Sequence, residues 1–190
     1  MNLSINTIVK LKITGYKAFK KTEKKTAGCK LQARYSRDEG GLSQFEIKVF
    51  DISEVAAKAF KGKNIQLEKC SVFRPDQEYA PSYWNSLSQP VEIRENISKP
   101  VINTIITGTV EAIEPFNGEK MSGYSLYFID NTDDAETIYT IKIINLDETV
   151  AKSYLNKDVK IEQCKPLSKI SYITEEKPTP LNHKTISQKD

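Results

Sequence analysis

A long internal repeat constrains this chain more than any other feature. Displaced by 94 residues, positions 45–70 align with 139–164 without a gap, and eight of the 26 pairs are identical. The identities are Ile47 with Ile141, Lys48 with Lys142, Glu54 with Glu148, Ala57 with Ala151, Lys58 with Lys152, Lys63 with Lys157, Glu68 with Glu162, and Cys70 with Cys164. Chance at this composition gives about two matches, so the chain reads as two copies of one unit. With 190 residues to share, each copy is near the size at which a single core becomes marginal.

The substituted pairs keep their physical roles. Asp51 and Asn145 are both good helix N-caps, each followed three places later by Glu54 or Glu148, the spacing of a capping box. Gly62 aligns with Asn156, the two residue types that best tolerate a left-handed backbone at a helix end. The pattern predicts a helix of about ten residues in each copy. Its buried face is expected to be Val55, Ala56, Ala59 and Phe60 in the first copy, and Val150, Ala151, Tyr154 and Leu155 in the second.

Strands flank the helix. Phe45, Ile47 and Val49 alternate with Glu46, Lys48 and Phe50 before it; Ile65, Leu67 and Cys70 follow it, matched by Val159, Ile161 and Cys164. Earlier strands run through Val9, Leu11 and Ile13, and through 31–35, with counterparts around Ile105 and at 126–129; final strands are expected at 91–94 and 170–173. The order strand, strand, strand, helix, strand, strand is that of the OB-fold, a five-stranded Greek-key barrel that binds oligonucleotides or oligosaccharides. The fold class expected is therefore mainly β, as two tandem OB-fold barrels, each with a short helix between strands 3 and 4. Residues 1–99 form a basic barrel with a long connection between strands 4 and 5, residues 100–176 an acidic barrel, and 177–190 a flexible tail.

The charge division decides which copy has a ligand. Residues 1–99 hold 18 Lys and Arg against 11 Asp and Glu, a net of +7, while residues 100–190 hold 10 against 14, a net of −4. Three cysteines without a C-x-x-C spacing and one histidine argue against a disulfide framework or a zinc site. No glycine-rich phosphate loop, no G-x-S-x-G and no paired cysteine and histidine appear, so neither a catalytic site nor a cofactor is expected. The first fifteen residues alternate apolar residues with lysine, unlike a secretory leader, and no run of about 18 apolar residues exists. A cytoplasmic, non-enzymatic binding protein is expected, with no membrane partner.

The segment 45–68 also resembles the bacterial single-stranded DNA-binding protein family. In that family a strand ends in Val-Phe, a helix carrying Ala-Glu and an aromatic follows, and Lys-Gly leads into the fourth strand. Val49-Phe50, Glu54, Phe60 and Lys61-Gly62 stand in comparable places. The resemblance implies an OB-fold that binds single-stranded DNA. The chain departs from the family in carrying two copies and in ending at 184–190 without an acidic run, so it resembles a divergent phage or mobile-element version.

Single-strand binders combine a basic groove that follows the phosphates with aromatic rings that stack on bases. In the first copy Lys17, Lys20, Lys21, Lys24, Lys25 and Lys30 surround Tyr16 and Phe19, in what reads as the connection between strands 1 and 2. Such a cluster can instead be a solvated hairpin tip that keeps the protein soluble; the acidic second copy shows that solubility does not require it. If Leu31, Ala33 and Tyr35 face inward, Lys30, Gln32 and Arg34 face outward beside Lys48 and Phe50; an aromatic at a strand end such as Phe50 more often covers the barrel end than stacks on a base. The long connection 74–90 carries Arg74, Tyr79, Tyr83 and Trp84; Trp84 reads equally as a stacking platform or as filler between the barrels.

These readings converge on a protein that binds single-stranded DNA with little sequence preference in replication or recombination. The acidic second copy could serve as a spacer, a dimerisation surface for a homo-oligomer, or a dock for replication or recombination proteins. The alternatives are a tandem OB-fold assembly scaffold that meets an acidic protein partner, and an RNA-binding protein.

Overall fold

Val9, Leu11 and Ile13 are fully buried while Lys12 is exposed, so period-two alternation fixes which face of the first strand meets the core. The computed structural model describes residues 1–20, 26–72, 83–132, 136–168 and 170–181. These divide into two units, Asn6–Thr104 and a second made of Met1–Ile5 with Ile105–Asp190. The first five residues, read above as part of the first copy, thus belong with the second, where Leu3 and Ile5 pack on the core.

The first unit contains β1 (Ser4–Lys12) from Asn6 onward, β2 (Gly15–Phe19), β3 (Gly28–Ser36), β4 (Leu42–Phe50), α1 (Glu54–Ala59), β5 (Asn64–Leu67), β6 (Cys70–Val72), β7 (Tyr83–Ser86) and β8 (Val91–Glu92). β1 pairs with β5, and β2 with β3, because the first OB strand bends at Ile13–Thr14 and changes partner there. Ile13 exchanges backbone hydrogen bonds with Lys63 and Gly62, while the Thr14 N–H donates to the Gln32 carbonyl. β4 then pairs in parallel with β7, which pairs with β6. Mainly β, with a bent first strand and a parallel closing pair, this is an OB barrel.

The second unit repeats it: β9 (Val101–Thr109) from Ile105 onward, β10 (Ala112–Asn117), β11 (Ser122–Asp130), β12 (Thr137–Ile144), α2 (Glu148–Tyr154), β13 (Asp158–Pro166), β14 (Ser171–Thr174) and β15 (Thr179–Pro180). β12 and β14 form the parallel closing pair. The repeat extends to backbone conformation, since Asp51 and Asn145, Gly62 and Asn156, and Lys69 and Gln163 all have positive φ, between 50° and 85°. A left-handed residue recurs at one place in both copies only if the chain must turn there in both.

That observation corrects the helix reading. Asp51 and Asn145 are left-handed exits from a strand; the N-caps are Ser53 and Asp147, whose side chains accept from the N–H groups of Ala56 and Val150 at 3.1 and 2.9 Å. The helices are shorter than expected, six and seven residues. The buried face of α1 is Ala57, flanked by half-buried Ala56 and Phe60, whereas Val55 is exposed. Ala57 aligns with Ala151, fully buried in α2 beside Tyr154, and Leu155 is exposed.

The fifth strand is also corrected. In the first barrel it is β7, which lies within the expected long connection, and not 91–94. Residues Val91–Glu92 form β8, which pairs with β5. The second barrel matches this at a displacement of 88 residues: buried Trp84 corresponds to buried Tyr172, and buried Pro90 to buried Pro178. The Ser86 and Thr174 hydroxyls donate to the carbonyls of Glu68 and Glu162 at 3.0 and 3.2 Å. Likewise β15 pairs with β13, and the Leu181 N–H donates to the Asp158 carbonyl. The stretch 177–181, expected to be free tail, is therefore held on the sheet; 182–190 lie outside the described residues. Among the described residues no helix is long and apolar enough to cross a membrane.

Candidate nucleic-acid interface

Register builds the candidate interface. Because β2, β3 and β4 are adjacent and antiparallel, Lys17 stands opposite Lys30, and Lys30 opposite Lys48. Their neighbours two residues along form a second row, Phe19 opposite Gly28 and Gly28 opposite Phe50. On the far side, Gly15, Gln32 and Glu46 make a third, and Arg34 stands opposite Gln44. Cys29, Leu31, Ala33, Ile47 and Val49 between them are buried, so Lys30, Gln32, Arg34 and Lys48 project from the outer face.

Tyr16, Lys17 and Phe19 sit on a strand, not in a loop, so the lysine between the two aromatics is aimed by sheet geometry. Tyr16 alternates to the other side and packs against the first core; it is not on the lysine face. Lys20 is exposed just beyond β2, and Lys21, Lys24 and Lys25 lie outside the described residues.

The aromatic row is possible because of Gly28. A Cβ there would run into the Val49 carbonyl oxygen and stand 2.8 Å from the Phe19 ring. Without it, Phe19 and Phe50 meet across the strand between them, ring centroids 5.9 Å apart and planes at 79°, an edge-to-face pair. Both rings are half-buried, which leaves ring surface beside the lysine row. Phe50 is in contact with Phe19 and keeps part of its ring at the surface.

Three like charges on neighbouring strands about 4.8 Å apart work against folding. Glu46, buried beside them at 7% exposure, relieves part of this. Lys30 Nζ lies 2.8 Å from its carboxylate, and Gln32 Nε2 donates to it at 3.1 Å. Burial pushes the Glu46 pKa up, but the hydrogen bonds from Lys30 and Gln32 and the charges of Lys30 and Lys48 outweigh it and hold the carboxyl below its ordinary range. Glu46 was missed in the sequence, although the alternation that placed Lys48 and Phe50 outward places it there too.

Trp84 corrects the stacking reading. It is 1% exposed in the first core and lies near-parallel to Phe45, centroids 6.2 Å apart, so it offers no face to a ligand. It is packed inside one barrel. Tyr83 shares β7 with it, opposite Glu46 in the backbone register; Arg74 and Tyr79 lie outside the described residues.

No family model and no curated protein matches the chain. Among solved structures, a deletion mutant of the single-stranded DNA binding protein from Thermus aquaticus matches with a TM-score of 0.53 and 8% identity, over 99% of this chain and 99% of that one. The wild-type form of that protein matches with a TM-score of 0.52 and 9% identity, over 96% and 95%. The two proteins share one fold. The likeness runs through both barrels of this chain.

The second barrel's equivalent face has diverged. Glu114, Ser125 and Lys142 form the row that corresponds to Lys17, Lys30 and Lys48. Tyr127 donates its hydroxyl to Glu114 at 2.8 Å, and that bond leads the causes that raise its pKa. Lys142 lies 5.5 Å over the Phe116 ring and is partly engaged by it. One positive charge and one negative charge remain where the first barrel has three positive charges.

Proposed function

We propose that this chain binds single-stranded DNA with little sequence preference, as a non-enzymatic cytoplasmic protein of replication or recombination. The observation that carries the reading is the cross-strand row Lys17, Lys30 and Lys48 beside the Phe19 and Phe50 rings. A row of cations with an aromatic row at its edge suits a ligand with regularly spaced phosphates and flat bases that are free to stack. The sheet face of strands 2 and 3 is where OB barrels receive such ligands. A duplex, its bases already stacked, has nothing to place on the rings. The shared fold with a single-stranded DNA binding protein supports the same reading. The first barrel supplies the affinity, and the acidic second barrel is left for protein partners.

The test is fluorescence anisotropy of a labelled thymine homopolymer titrated with the protein at several salt concentrations. If Lys17, Lys30 and Lys48 reach phosphates, they contribute about −2 to the slope of log affinity against log salt, at about −0.7 per contact. Duplex DNA of equal length should bind more weakly. Equal or tighter binding of duplex or structured RNA, or no binding of the homopolymer, overturns the proposal.

A further inference from the structure

Arg34 stands at a second feature as well as on the outer face. At its end of β3 a groove of about 250 Å³ is lined by Lys12, Arg34, Tyr35, Asn96, Ser98 and Lys99, among others. Its lining includes three cations and no acid. Lys99 is paired with Asp38, a side chain that is 88% exposed and outside the lining. Glu95, next to the lining, is matched by Lys10 at 2.6 Å. The groove thus keeps a positive excess, with the Asn96 and Ser98 side chains beside it as hydrogen-bonding groups. Its volume is several times the roughly 30 Å³ that one water occupies in liquid, so an anion fits with part of its hydration.

We propose that this groove holds phosphates of the same DNA strand that lies on the β2–β3–β4 face, an inference that rests on the function proposed above. Arg34 joins the two places, since Lys30, Gln32 and Arg34 project from the same side of β3. Lys30 and Arg34 are four residues apart on the strand, about 13 Å. A free phosphate cannot span that distance, whereas an extended polyanion can. Between the two cationic places stand Gln32 and the Glu46 carboxylate, which offer a phosphate no cation, so the phosphate contacts come in two groups. The strand then runs along β3, from the Phe19 and Phe50 rings to Lys12 and Lys99.

The experiment compares thymine homopolymers of about four and about sixteen nucleotides, the limits of what one OB barrel covers, on the full chain. The double variant Lys12→Gln with Lys99→Gln is expected to bind the long oligonucleotide about tenfold more weakly. Its log–log salt slope should be shallower by about 1.4, two contacts at about 0.7 each, and binding of the short one should be unchanged. Asp38→Asn breaks the same ion pair but leaves the cation, and should retain or raise affinity for the long oligonucleotide. Both substituted lysines project to the surface, so thermal unfolding should not move. If the wild-type chain binds and the double variant keeps its slope, or if Asp38→Asn reproduces the loss, the groove is refuted and the function stands. If the wild-type chain binds neither oligonucleotide, both proposals fall.

Discussion

Lys30 and Glu46 meet 2.8 Å apart across β3 and β4, in the middle of a face whose other charges are positive. The acid that lets three lysines stand in a row also competes with any phosphate for one of them. Stability and ligand affinity therefore pull on Glu46 in opposite directions.

Replacing it separates the two. Glu46→Gln keeps an oxygen for Lys30 but removes the negative charge, so single-stranded DNA should bind about three- to tenfold more tightly, on the order of 1 kcal/mol, and with a steeper salt dependence. Anisotropy titration checks this, and weaker binding would mean that Glu46 orders the lysines for the ligand.

The same carboxylate gives a pH signature. Its folded pKa is depressed, so its stabilisation is present at neutral pH and above, and is lost as pH falls through the folded value, below the ordinary carboxylate range. Urea unfolding across the acid range should show a shallower loss of stability for Glu46→Gln than for the wild type. Parallel acid limbs would count against the assignment.

Phe19 and Phe50 should matter more for binding than for folding. Loss of a stacking ring is worth about 1 to 3 kcal/mol per base, so Phe19→Ala or Phe50→Ala should weaken homopolymer binding between about fivefold and 150-fold. The edge-to-face pair itself contributes about 0.5 to 1.5 kcal/mol to stability. Isothermal titration beside thermal unfolding distinguishes the two; unchanged affinity in both variants would remove the rings from the interface.

Trp84 should behave in the opposite way. At 1% exposure its emission should be blue-shifted and poorly quenched by iodide, and Trp84→Ala should cost about 3 to 5 kcal/mol. Strong iodide quenching in the folded protein would contradict its place in the core.

The buried thiols of Cys70 and Cys164 are pushed up to about 11 and about 12 by burial, so neither is a thiolate at pH 8. A thiol reagent should label them at that pH only after denaturation. Rapid labelling of the folded chain would show that these strands open.

Much of this was readable in the sequence because it depends on local pattern. The 94-residue repeat, the alternation through Val9, Leu11 and Ile13, and the outward set of Lys30, Gln32, Arg34 and Lys48 all follow from a side-chain period of two and from substitutions that keep a role. What sequence could not supply was pairing across a gap. Six more residues separate β6 from β7 than separate their counterparts, which moves the repeat from a displacement of 94 to 88. The match of Trp84 with Tyr172 and of Pro90 with Pro178 was hidden for that reason, and Trp84 read as a loop residue. The caps were misplaced because a capping-box spacing does not say whether Asp51 begins a helix or turns left-handed before one, a choice made by where β4 must end. The alignment of Lys17, Lys30 and Lys48, and their contact with Glu46, depends on strand register. Register is set by the packing of the whole barrel, and no segment of the chain contains that information by itself.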